Sequence, residues 1–92
     1  MPPITRFRLT GHARTETYRR GISEDDVRTV LSTPDQILPG HDGRTTYQKR
    51  VLVGEPARSY LLRSIVETRS EPPAVVTAYR TSRIEKYSKE TP

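Results

Sequence analysis

Two stretches of the chain carry side chains able to move a proton or hold a phosphate. His12 stands near the head of an expected helix, flanked by Arg14 and one turn from Glu16. An imidazole with its ordinary pKa of about 6.5 serves as general acid or base at neutral pH. The alternative is a surface or packing histidine hydrogen-bonded to Glu16. Far along the chain, Ala74-Val75-Val76-Thr77-Ala78 is small or β-branched, as suits a strand with little polar surface on either face. It stops in Tyr79, Arg80, Thr81 and Ser82, which places hydrogen-bonding side chains at the end of a rigid element.

Other cations surround this pattern. Arg63 interrupts an otherwise apolar strand, so it either lines a cleft or stretches its stem to the sheet edge. Strand alternation sends Lys49 and Arg50 to opposite faces, and Tyr79 and Arg80 likewise. Ser82 is either a site hydroxyl or the N-cap of a short last helix. Arg83 and Lys86, one turn apart on that helix, contact phosphate or simply line a solvated face. No nucleophile–base–acid order and no phosphate-binding glycine loop is present, and His12 and His41 are too far apart to suggest a metal site. No metal or cofactor is expected. Chemistry without either is still open to RNA cleavage, where the substrate's own 2′-hydroxyl attacks. The protein then supplies a proton acceptor or donor and cations for the phosphorane. His12, Tyr79, Lys49 or Arg63, and Arg80 are residue types that suffice.

The elements that must position these groups read as α+β. Thr10 caps a first helix over 11–20, closed by Gly21. Ser23 and Asp26 form a capping box, with Ile22 and Val27 as a hydrophobic staple. Val27, Val30 and Leu31 give the second helix its apolar stripe, and Pro34 halts it near Ser32. A short strand over 35–39, a turn through Asp42-Gly43, and strands over 44–53 and 58–67 follow, the last apolar on both faces and therefore central. After a polar loop over 68–73 comes the strand that begins at Ala74. Ser82 and Glu85 suggest a second capping box and a short helix to about Tyr87. The expected order is ααββββα: a curved antiparallel four-stranded meander with paired N-terminal helices on one face.

The totals frame this reading. Ninety-two residues suit a single domain over 1–92, with an ordered core over about 5–88. Residues 1–46 hold 7 basic and 6 acidic side chains, and residues 47–92 hold 9 and 5, so the excess of +5 lies mostly in the half that forms the sheet. That excess suits a polyanionic partner such as RNA, or an acidic protein. Cysteine is absent, which excludes disulfides and thiol chemistry. No apolar leader or membrane-length stretch is visible, so a cytoplasmic protein without membrane contact is the expectation.

The strings Thr-Gly-His-Ala-Arg (10–14), Arg-Arg-Gly-Ile-Ser-Glu-Asp-Asp-Val (19–27), Tyr-Gln-Lys-Arg (47–50) and Val-Thr-Ala-Tyr-Arg-Thr-Ser-Arg-Ile-Glu-Lys-Tyr (76–87) resemble an uncharacterised bacterial family. It is known as domain of unknown function forty-two fifty-eight. That family is similar to small RelE- and BrnT-type toxins, metal-independent ribonucleases with helices packed on a curved sheet and a partner antitoxin. The resemblance implies His12, Tyr79 and Arg80 as catalytic positions, with Arg14, Lys49, Arg63, Ser82, Arg83 and Lys86 on the substrate. It also implies RNA and an antitoxin protein as partners; a homodimer through a sheet face is a further expectation. One departure is Glu16, where relatives often carry arginine; Arg14 or Arg19 would then have to hold the phosphate. Two functions follow: a toxin-like endoribonuclease, or a non-catalytic nucleic-acid- or protein-binding module of the same fold.

Overall fold

A computed structural model describes residues 2–88. The chain forms β1 (Arg8–Leu9), α1 (Gly11–Arg19), α2 (Glu24–Ser32), β2 (Gln36–Pro39), β3 (Arg44–Val53), β4 (Arg58–Glu67), β5 (Ala74–Thr81) and α3 (Ile84–Ser88). The strands make one sheet in the order β1-β5-β4-β3-β2. β2 to β5 are an antiparallel meander, and β1 lies parallel to the start of β5.

The α+β class and the meander agree with expectation; the four-stranded layout does not. Two residues, Arg8 and Leu9, add a fifth strand by pairing with Ala74 and Val75. Periodicity has nothing to grip in two residues, and the partner strand lies more than sixty positions away.

Local signals fix the helices. The Thr10 hydroxyl accepts from the Ala13 N–H at 3.1 Å and starts α1. Gly21, at φ +68°, turns the chain out of it through the left-handed region where a Cβ is disfavoured. The Ser23–Asp26 box closes reciprocally, at 3.0 Å from the Asp26 N–H and 2.9 Å from the Ser23 N–H. In the four-residue link from β2 to β3, Asp42 and Gly43 take positive φ and the Arg44 N–H donates to the His41 carbonyl at 3.0 Å. The second predicted capping box does not form as expected. α3 begins at Ile84, so Arg83 rather than Ser82 precedes it, and Thr81 Oγ1 accepts from the Arg83 N–H at 3.1 Å.

Both long helices cover one face of the sheet. Ala13, Ile22, Val27, Val30 and Leu31 pack with Tyr47, Leu62, Val66, Val75 and Ala78 in a single apolar cluster. The N-terminal arm straps this layer down: Ile4 donates to the Leu31 carbonyl at 2.8 Å, and the Tyr47 hydroxyl donates to the Pro2 carbonyl at 2.7 Å. A bulge in the β4–β5 pairing explains why Val75 and Ala78, three apart, both reach this core. Ile65 pairs with Thr77 while Val66 pairs with Val75, leaving Val76 as the extra residue. From Ala78 onward, alternation resumes and Tyr79 faces the other way.

Candidate functional site

The face of the sheet away from α1 and α2 carries a row of polar side chains at paired positions. Gln36 opposes Gln48, Gln48 opposes Arg63, and Arg63 opposes Tyr79, so four adjacent strands each contribute one residue. Side chains at such positions are close enough to bond directly. Arg63 Nε donates to Gln48 Oε1 at 2.9 Å, and Arg63 Nη1 donates to the Tyr79 hydroxyl at 2.7 Å. Because the guanidinium takes the Gln48 carbonyl, the amide end of Gln48 turns to donate to Gln36 Oε1. Gln48 is fully buried and Arg63 is 8% exposed, which makes the row part of the interior.

α3 folds back over this row. The Tyr87 ring lies above the Arg63 guanidinium, with Cζ 3.9 Å from the ring centre, and Tyr79 flanks the same cation at 5.8 Å. Burial pushes the Tyr79 phenol above its ordinary value, against the opposing pull of Arg63, while Tyr87 adds to the rise. Tyr79 is therefore neutral at pH 7 and carries a proton it can donate.

Beside the row, the start of α3 and β3 enclose an open hollow of about 530 Å³ lined by Arg50, Ser82, Arg83, Ile84, Glu85 and Lys86. Three cations face one carboxylate there. Arg50 lies two residues along β3 from Gln48 and thus on the same face.

The residues singled out from the sequence fall into two groups. Arg63 and Tyr79 meet in the row, and Ser82, Arg83 and Lys86 meet at the hollow. Lys49 and Arg80 lie on the helix side. Lys49 Nζ donates to the Thr33 carbonyl at 2.9 Å and stands 3.7 Å from Asp35. Arg80 Nη2 donates to the Arg20 carbonyl, tying β5 to the end of α1. Arg80 also borders a small cavity of about 60 Å³ with Ile22, Asp26, Val51 and Leu62. His12 and Arg14 are exposed on the first turn of α1.

The sheet separates His12 from the Tyr79 hydroxyl. α1 packs on the core face through Ala13, whereas Tyr79 alternates with the core residue Ala78 and points the opposite way. The strand adds a further offset, since the α1 cap is bonded to Val75 and four residues of β5 span roughly 13 Å. The shared hollow expected for His12 and Tyr79 does not form. Glu16 has a role of its own: it pairs with Arg19 at 3.7 Å and Arg20 at 3.5 Å, and Arg20 Nη1 reaches the Ala78 carbonyl at 2.8 Å on the outer edge of β5. An occupied carbonyl on the length of β5 that β1 leaves uncovered discourages further strand pairing there.

Gln36, Gln48, Arg50 and Tyr87 belong to this region and were not among the expected site residues. The signal for Gln48 was the register itself: the hairpin through 54–57 sets Gln48 opposite Arg63. Tyr87 gave no such signal, because nothing local says that the last helix doubles back.

A sequence model described as Domain of unknown function (DUF4258) matches residues 9–80. The chain belongs to this family. No curated protein and no solved structure matches it. The matched stretch of the DUF4258 domain contains His12 and the row from Gln36 to Tyr79, while Arg83 and then α3 with Lys86 and Tyr87 follow it. Among the described residues, no group of three or more His, Cys, Asp or Glu side chains is placed to hold a metal ion. No described helix is long and apolar enough to cross a membrane.

Proposed function

We propose that this DUF4258 domain binds single-stranded RNA on the sheet face opposite the long helices, as a binding module whose phosphate contacts come from the hollow. The observation that carries the reading is the convergence of Arg50, Arg83 and Lys86 on one open concavity beside a buried arginine bonded to Gln48 and Tyr79. Guanidinium and ammonium groups at such a surface neutralise phosphates and release condensed counterions. A single strand suits a concavity of this size, because its backbone can follow the surface without the fixed width of a duplex.

The test is a binding titration of a labelled single-stranded RNA at several salt concentrations. Three phosphate contacts give a slope of about −2 in log affinity against log salt. Replacing Arg50, Arg83 and Lys86 together by alanine flattens that slope and removes most of the affinity. A wild-type protein that ignores the RNA at low salt would end the reading.

A second reading, a RelE- or BrnT-like endoribonuclease with an antitoxin partner, draws on the Arg63–Tyr79 pair at 2.7 Å. A neutral phenol beside a fixed cation is able to protonate a leaving oxygen while the cation steadies the phosphorane. His12, the proton acceptor expected for the 2′-hydroxyl, lies across the sheet from this pair. Binding is therefore preferred to cleavage. Intact RNA recovered from a prolonged incubation at neutral pH supports that preference, and His12-dependent cutting would reverse it.

A further inference from the structure

The Arg63 guanidinium lies beneath a tyrosine ring. Its Nε and Nη1 bond Gln48 and Tyr79, which fixes the plane of the group, and a ring lies against it. Tyr87 supplies that ring at 3.9 Å, the separation of stacked planar groups. Nucleobases stack on arginine planes and on aromatic rings in the same manner. The ring is delivered by α3, a five-residue helix in which no residue is buried. One turn of helix is not stable alone, and a segment without buried side chains opens readily. Immediately beside it, Lys86 from the same helix, Arg83 just before it and Arg50 from β3 line the cationic hollow.

We infer that the Tyr87 ring is a built-in occupant of a nucleobase site whose floor is the Arg63 guanidinium, and that a base of bound RNA replaces it. This rests on the RNA reading above and adds what that reading does not contain: a stacking site already filled by the protein itself. In the free domain the ring and α3 cover the cation. When a strand lies in the hollow, its phosphates are held at Arg50, Arg83 and Lys86, one base takes the Arg63 face, and the Tyr87 ring turns off the cation. The apparent affinity is then reduced by the fraction of molecules in which the ring is seated.

The experiment compares the full chain as wild type, Tyr87→Ala and Tyr87→Phe, using fluorescence anisotropy with a short labelled single-stranded RNA at low salt. Removing the occupant tightens binding roughly tenfold in Tyr87→Ala, while Tyr87→Phe, which keeps a ring, stays at the wild-type value. Equal or weaker binding by Tyr87→Ala would overturn the inference, because the ring would then be a neutral cap or a platform for the RNA. Should alanine unfold the chain, Tyr87→Leu replaces it with the same readings. If neither wild type nor variant binds RNA, the RNA reading fails by itself. The Arg63 Nε–H nuclear magnetic resonance signal then decides the inference, with adenosine 5′-monophosphate as the probe. A saturable shift in Tyr87→Ala but not in wild type keeps the base site, and no shift in either discards it.

Discussion

The two faces of this sheet are built on opposite terms. The helix side is a dry layer in which Val27, Leu31, Val66, Val75 and Ala78 are shielded from solvent and held by shape alone. The other side buries a cation and an amide in a bonded row from Gln36 to Tyr79, then covers it with one loosely held helix. Apolar packing tolerates changes of pH and salt, because nothing in it except the Tyr47 phenol titrates. A polar row is rigid only while every member keeps its partner, and any variable that touches one member touches all. One face is closed by apolar packing and the other by bonded polar groups, in a sheet only 10 residues long in its longest strands.

Substitutions ranked by expected effect can break that division. Leu31→Ala opens a void in the dry layer and should lower unfolding free energy by about 2–5 kcal/mol, read by urea denaturation. Its alkaline and salt dependence should stay as in the wild type. Arg63→Met keeps the volume but orphans the Gln48 carbonyl and the Tyr79 hydroxyl, and should lower stability by about 2–4 kcal/mol in the same measurement. A loss near zero would mean that the row is decorative.

Tyr79→Phe removes one acceptor from a charged donor and should lower stability by about 1.5–3 kcal/mol at neutral pH. It also carries a pH signature. Burial raises the Tyr79 pKa above the ordinary value of about 10, so the folded protein holds a proton that the unfolded chain releases first. That contribution is complete below pH of about 10 and is lost as pH climbs through the folded value. Tyr79→Phe should therefore lose less stability on going from neutral to strongly alkaline solution than the wild type does. Tyr47, whose pKa burial also raises, remains in the variant, so the alkaline loss is reduced and not abolished.

The smallest effect concerns the dry side. Ser64 Oγ is buried between Tyr47 and Ala78 and has no hydrogen-bond partner among the described residues. Ser64→Ala should raise stability by up to about 1 kcal/mol, since it removes an unmet hydroxyl at no loss of packing. A drop in melting temperature would point to a partner for that hydroxyl.

Much of the fold was legible because its signals are local. Capping residues marked both long helices, Asp42-Gly43 marked the hairpin, and the bounds of β3 and β4 follow from turn residues on either side. β1 was invisible because two residues carry no period, and its pairing is set by a partner distant in the chain. The candidate site was half legible. Arg63 stood out as a charge in an apolar strand, and Tyr79 as the polar end of another, and they do meet. His12 was attractive by residue type, but its place is decided by where α1 settles and the face of Tyr79 by the bulge at Val76, neither of which residue type encodes. Gln48 looked like any polar strand residue until register set it against Arg63.

The division between the faces is tested most directly by moving charge on each side in turn and reading RNA affinity. An Arg50→Glu, Arg83→Glu variant and an Arg14→Glu, His12→Ala variant all alter exposed side chains, so both should fold. The account predicts that the first pair loses nearly all binding to labelled single-stranded RNA, while the second, on the helix side, keeps affinity within a few fold of wild type. Full binding by the first pair and none by the second would put the interface on α1 and contradict the account.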